Sequence, residues 1–256
     1  MIRRVLSFTW CLCVAFAVSA RATPVLQLDI AQGTYDTAEQ STIASTNAFT
    51  LYALGLNSGE NRVWTSDTYY ITAVLERRDG AAIANAGNLN FGSFMFAGQT
   101  VNATAQMAYG YSPLDGIGDG SQDSHGSFPS YFEEFGFKFK SSKKTTTYDV
   151  QSAAYPVAHN TISTNRSGGM YYVPFAVDVS NLDSAYSLHF DLYSESVRNG
   201  CIDMDKFAPF SHDASAHRRV PIVYVPEVGA TFPLVLLAFL SFKFVRRVIP
   251  RRPKHA

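Results

Sequence analysis

The chain has 256 residues, 46% of them hydrophobic and 14% aromatic, with 21 Lys+Arg against 21 Asp+Glu. That neutrality comes from the two ends, because residues 22–229 hold twelve of the basic residues and all twenty-one acidic ones, a net charge of −9. An acidic body lacks the basic footprint that nucleic-acid binding needs, which leaves divalent cations or basic partners as the chemistry its charge suits.

Residues 1–22 read as a secretory signal peptide. Arg3 and Arg4 form a positive start, residues 5–18 an apolar run, and small residues at Val18-Ser19-Ala20 and Ala20-Arg21-Ala22 offer cleavage sites. The run is short for a membrane span, and neither Cys11 nor Cys13 is preceded by the Leu-containing box of a lipoprotein. Cleavage removes both cysteines and leaves Cys201 alone, so the exported part, residues 23–224, takes its stability from packing rather than from a disulfide. A domain of about 200 residues is large enough to do so.

Within 23–224 the periodicity is that of strands. Candidate strands cover residues 25–30, 48–54, 69–75, 91–96, 148–151 and 171–179. Phe135, Phe137 and Phe139 alternate with Gly136, Lys138 and Lys140, and Leu188, Phe190 and Leu192 alternate with His189, Asp191 and Tyr193. Each of these two runs puts one face inward. Clusters such as Asn57-Ser58-Gly59, Arg78-Asp79-Gly80 and Asn181-Leu182-Asp183 separate the strands as turns, and residues 140–147 read as a solvated strand extension or hairpin. No stretch between the ends carries a capped helical stripe. The pattern predicts an all-β fold, an antiparallel β-sandwich of the jelly-roll or immunoglobulin-like kind, in one domain. Aromatic density at Phe128, Tyr131, Phe132 and Phe135 fits either a sugar-stacking surface or sandwich core.

Three polar constellations are candidates for chemistry. Asp115, Asp119 and Asp123 recur every fourth residue of a Gly-rich loop, a spacing that lets carboxylate oxygens converge on one Ca²⁺. Ile117 stands where an EF-type loop has a second Asp or Asn, and Phe128 where it has Glu, so an ordinary Gly/Asp turn is the competing reading. Asp203, Asp205 and Asp213 could bind a hard cation or cap turns. His212 and Asp213 with His217, His125 and His189 supply the residue types of a zinc or iron site, at spacings that match no metal motif. No Gly-x-Ser-x-Gly elbow is present, and no catalytic residue is assigned.

The C-terminal part, residues 225–256, is expected to hold a short motif, a membrane helix and a basic stop. Val225, Pro226, Glu227, Val228 and Gly229 are followed by the apolar run 230–242 and then by Lys243, Arg246, Arg247, Arg251, Arg252 and Lys254. The basic end would be held on the cytoplasmic side, and everything before the helix exported. The helix is short and Pro233 interrupts its start, which suits a transient sorting anchor better than a permanent one.

The residues also carry a resemblance. Leu26-Gln27-Leu28-Asp29-Ile30 with Gly33-Thr34-Tyr35-Asp36, Phe49-Thr50-Leu51-Tyr52-Ala53, the run from Gly126 to Phe135, Phe175-Ala176-Val177-Asp178, His189-Phe190-Asp191-Leu192-Tyr193 and Phe207-Ala208-Pro209-Phe210-Ser211-His212-Asp213 resemble the bacterial choice-of-anchor N proteins over nearly the whole exported domain. Members of that family share the domain and differ in the anchor, most carrying sorting signals of the PEP-CTERM type. Here the motif is similar to the Val-Pro-Asp-Ser-Gly variant: Val225, Pro226 and Gly229 match it, while Glu227 replaces Asp and Val228 replaces Ser. The family leaves the molecular activity of this domain uncharacterised; with no catalytic motif among the residues, the expectation is a surface or extracellular-matrix protein that is not an enzyme. The resemblance further implies passage through the secretion machinery and cutting near Pro226 by a membrane-embedded exosortase, whose catalytic cysteine belongs to that partner. A secreted carbohydrate-binding or carbohydrate-active sandwich, in contact with extracellular polysaccharide, is the alternative.

Overall fold

The computed structural model describes residues 23–86, 89–114, 129–151, 162, 164–198 and 201–219. In chain order the strands are β1 (Leu26–Ile30), β2 (Thr34–Asp36), β3 (Ser41–Ile43), β4 (Ala48–Leu56), β5 (Tyr69–Arg77), β6 (Ser93–Phe96) and β7 (Gln99–Asn102). They continue as β8 (Ala108–Gly110), β9 (Ser130–Phe137), β10 (Lys144–Thr145), β11 (Met170–Asp178), β12 (Tyr186–Arg198), β13 (Cys201–Phe207) and β14 (Asp213–His217). A 3-10 turn at Phe210–His212 precedes β14. Among the described residues there is no α-helix, and no helix is long and apolar enough to cross a membrane. Residues 1–22, the Asp115, Asp119 and Asp123 loop and the whole 225–256 segment lie outside the described residues.

The strands form two sheets. One runs β1-β4-β11-β6-β7 with β10 added to β11, and the other runs β2-β3-β14-β12-β5-β9-β8 with β13 added to β12. Alternation explains how they face one another. Leu26, Leu28 and Ile30 of β1, Leu51 and Ala53 of β4, Phe175 and Val177 of β11, and Phe94 and Phe96 of β6 share one buried cluster with Ile71, Ala73 and Leu75 of β5, Leu188, Phe190 and Leu192 of β12, and Ala214 and Ala216 of β14. The chain is thus an all-β sandwich whose core is the space between the sheets. Rings tie the two sides together: Phe96 stacks on Phe135 at 4.0 Å between centroids, and Phe175 meets Phe137 edge-on at 5.2 Å. Tyr131 is buried and Phe135 packs against this core, so both serve packing.

Two local features differ from expectation. The expected sandwich is antiparallel throughout, whereas β3 and β14 pair in parallel, with Ser41 opposite Asp213 and Ile43 opposite Ser215. The two strands are about 170 residues apart in sequence, so no hairpin turn dictates their direction. Residues 148–151, expected as a strand, form none. They cross the outer face of β1, where Gln27 meets their backbone: its Nε2 donates to Tyr148 O at 2.7 Å and its Oε1 accepts from Val150 N at 3.1 Å. One side chain therefore takes the place of a neighbouring strand.

β12 organises the second sheet. On one edge it pairs β5 from Tyr186 to Ser194, and on the other it pairs first β14 and then β13. β13 and β14 are thus one interrupted strand, and residues 208–212 leave the ladder between them. Ala208 N is recaptured by Leu192 O at 2.7 Å, and the 3-10 turn closes through His212 N to Pro209 O at 2.7 Å.

Candidate functional site

Strand alternation builds the most concentrated polar chemistry in the described residues. With Leu188, Phe190 and Leu192 turned into the core, His189 and Asp191 share the opposite face of β12, two residues apart. On β14 the inward Ala214 and Ala216 leave Asp213 and Ser215 on that same face. The register sets Ser215 against His189 and Ala214 against Phe190, where the pairing ends, and Asp191 and Asp213 are the next residue on each strand.

Both carboxylates converge on one ring nitrogen. His189 Nε2 lies 3.1 Å from Asp191 Oδ1 and 3.6 Å from Asp213 Oδ2. The three residues are 3%, 6% and 1% exposed. The Phe210 ring lies over the imidazole at 6.1 Å and 27°, so the excursion between β13 and β14 lids the group. Burial by itself would push the His189 imidazole down. The charge of Asp191, its hydrogen bond, that of Asp213 and the charge of Glu76 outweigh burial and raise it well above its usual value.

A second histidine sits at the same turn and does different work. His212 Nε2 is 3.0 Å from Asp149 Oδ1, and its Nδ1 is 2.9 Å from Ser211 Oγ. With the proton on Nε2 the ring donates to the carboxylate and accepts from the hydroxyl, so both nitrogens are satisfied. The turn is then pinned from outside. Tyr35 Oη donates to Ser211 O at 3.1 Å, Gln151 Nε2 donates to Tyr35 Oη at 2.8 Å, and Gln151 N donates to Asp149 Oδ1 at 2.8 Å. Tyr148 Oη reaches Asp29 Oδ2 at 2.6 Å on β1. Residues 148–151 thus lock β1, β2 and the lid of the His189 group into one network.

The histidine and aspartate types singled out in the sequence therefore divide. His189 and Asp213 come together, and Asp191, a strand residue outside the expected ligand set, is the third member. His212 turns away to Asp149, and half-buried His217 faces Arg78 and Arg219. Asp205 is paired by Lys206 on β13. His125 lies outside the described residues, as do Asp115, Asp119, Asp123 and the motif residues Val225, Pro226, Glu227, Val228 and Gly229. The signal for the missed member is the dipeptide spacing in His189-Phe190-Asp191, since i and i+2 share a strand face.

One open concavity is distinct from this closed cluster. A groove of about 760 Å³ is lined by Trp64, Glu60, Asp67, Asp205 and Lys206 among others. Trp64 is 47% exposed, and the Arg62 guanidinium lies 3.9 Å from its ring centroid.

No protein-family model matches this chain, and neither does any curated protein or solved structure.

Proposed function

We propose that the chain is an exported bacterial surface or extracellular-matrix protein of the choice-of-anchor N kind, without catalytic activity of its own. In this reading it is delivered through the secretion machinery and cut at its C-terminal signal by an exosortase-like membrane enzyme. One observation carries the reading: Val225, Pro226, Glu227, Val228 and Gly229 stand directly before a short apolar run and a tail of six cations, with a signal-peptide pattern at the other end of the chain. The acidic, disulfide-free body between those ends fits a domain carried outward as a folded sandwich of the jelly-roll or immunoglobulin-like kind. Burial of the His189 group supports a role in holding the domain together rather than in turnover, because a substrate has no access to groups so enclosed. The test is fractionation of the native host. Wild-type protein should leave the inner membrane, whereas Pro226→Ala with Glu227→Ala should stay membrane-bound at full length, and identical fractionation of the two would remove the sorting claim.

The groove at Trp64 favours a second reading, in which the exported domain binds carbohydrate. An exposed indole beside Glu60, Asp67 and Asp205 offers a stacking face and hydrogen-bond acceptors for sugar hydroxyls. A glycan array with the wild-type chain should then give hits that Trp64→Ala loses at unchanged thermal stability, and hits that survive the substitution would place any binding elsewhere.

A further inference from the structure

We propose that His189, Asp191 and Asp213 form a structural site for one divalent first-row transition metal ion, of which Zn²⁺ is the natural probe. The argument begins with the ring nitrogen. Both carboxylates are aimed at Nε2, at 3.1 and 3.6 Å, and a single proton on Nε2 points along one direction, so it serves one carboxylate well and the other poorly. A metal ion has no such limit. Ligand atoms about 2.1 Å from a common centre lie about 3.0 Å apart along an octahedral edge and about 3.4 Å along a tetrahedral one. Nε2 already stands at separations of that order from Asp191 Oδ1 and from Asp213 Oδ2, and one ligand atom from each residue falls within 4.8 Å of the other two.

Charge leads to the same place. As ligands, the carboxylates of Asp191 and Asp213 together balance a divalent cation, whose burial among apolar strands would otherwise be costly. Coordination through His189 Nε2 releases any proton held there to solvent, and no other covalent change is required. The ligand chemistry selects the ion: one imidazole nitrogen with carboxylate oxygens suits zinc and its first-row neighbours, whereas Ca²⁺ and Mg²⁺ prefer all-oxygen shells. A second oxygen of either carboxylate can complete four-coordination.

The surroundings make the site structural rather than catalytic. The three residues are almost fully enclosed, the Phe210 ring covers the imidazole, and the turn bearing Phe210 is fastened through His212 to Asp149 and through Ser211 to Tyr35. An ion here would tie β12 to β14, two strands whose pairing spans only four residue pairs. Metal binding would then appear as folding stability.

The experiment uses the full-length chain purified in detergent from zinc-supplemented cells. Metal analysis should return about one zinc per chain. Chelation should lower the melting temperature, and Zn²⁺ at about a hundred times its dissociation constant should restore it by roughly 5–10 °C, with Ca²⁺ inactive. Asp213→Asn and Asp191→Asn should each lose the metal. Wild-type protein that carries no stoichiometric metal and melts identically in EDTA and in Zn²⁺ would overturn the proposal, leaving a buried histidine hydrogen-bonded among carboxylates. Folded Asp213→Asn or Asp191→Asn protein that keeps its full zinc content would overturn it as well.

Discussion

Single residues set the tolerances of this sandwich. Gly92 has φ +87°, and a Cβ there would stand 2.1 Å from Asn181 O, where the backbone bridges to Leu182. Gly98 has the same φ of +87° with nothing within 4 Å. The two glycines separate backbone strain from collision. Gly98→Ala should cost about 1 kcal/mol, the left-handed penalty alone, and Gly92→Ala roughly 3 kcal/mol or more, because the strand crossing must also open. Urea titration of both variants checks this, and equal losses would show that the close approach is not real. His217 gives a residue-level pH dependence. Burial, with Arg78 and Arg219 nearby, holds its imidazole below the usual value of about 6.5. The fold therefore favours the neutral ring, so this contribution is complete above that value and is lost as pH falls towards the lowered one. Melting curves between pH 7.5 and about 5 should converge for wild type and His217→Gln, the variant lacking this share of the acid loss. Parallel curves would assign the acid sensitivity to other groups.

At the scale of elements, the long strands carry the energy. Phe190 on β12 is fully buried and meets Phe49 and Phe96 from the opposite sheet at 6.4 and 6.3 Å. Phe190→Ala should cost about 3–5 kcal/mol, and Phe190→Asp, which buries an unpaired charge, should abolish folding. Far-UV circular dichroism on the two variants checks it, and a cooperatively folding Phe190→Asp protein would refute the core assignment. The same alternation explains what was legible. β1 (Leu26, Leu28, Ile30), β11 (Tyr171, Val173, Phe175, Val177) and β12 (Tyr186, Leu188, Phe190, Leu192) carry bulky apolar residues at every second position, so period two announces them, while β4 and β5 show as β-rich apolar runs with Ala53 and Ala73 in their inward rows. β2, β3 and β8 are three residues long, too short for any period to show. β14 alternates Ala with Asp, Ser and His, and alanine gives a faint apolar signal, so its polar residues read as a loop cluster. Residues 148–151 alternate like a strand, yet the Gln27 side chain holds their backbone. The His189 group was half legible: its residue types stood out, but which of them meet depends on the register of β12 against β14, a pairing more than twenty residues apart that no local pattern encodes.

For the whole molecule, the charge division gives the plan. The two ends carry nine cations and no acidic residue outside 22–229, while the body carries −9, a division that suits the proposed function, in which the ends would address the membrane and the body would be exported. The central claim is that the tail is a sorting signal that does not persist in the mature protein. Peptide mapping of the protein recovered from the surface fraction of its native host tests it most directly. The account predicts a C-terminus near Pro226 and no peptide covering residues 232–242; recovery of those residues still joined to the surface-exposed domain would contradict it and leave a plain membrane anchor.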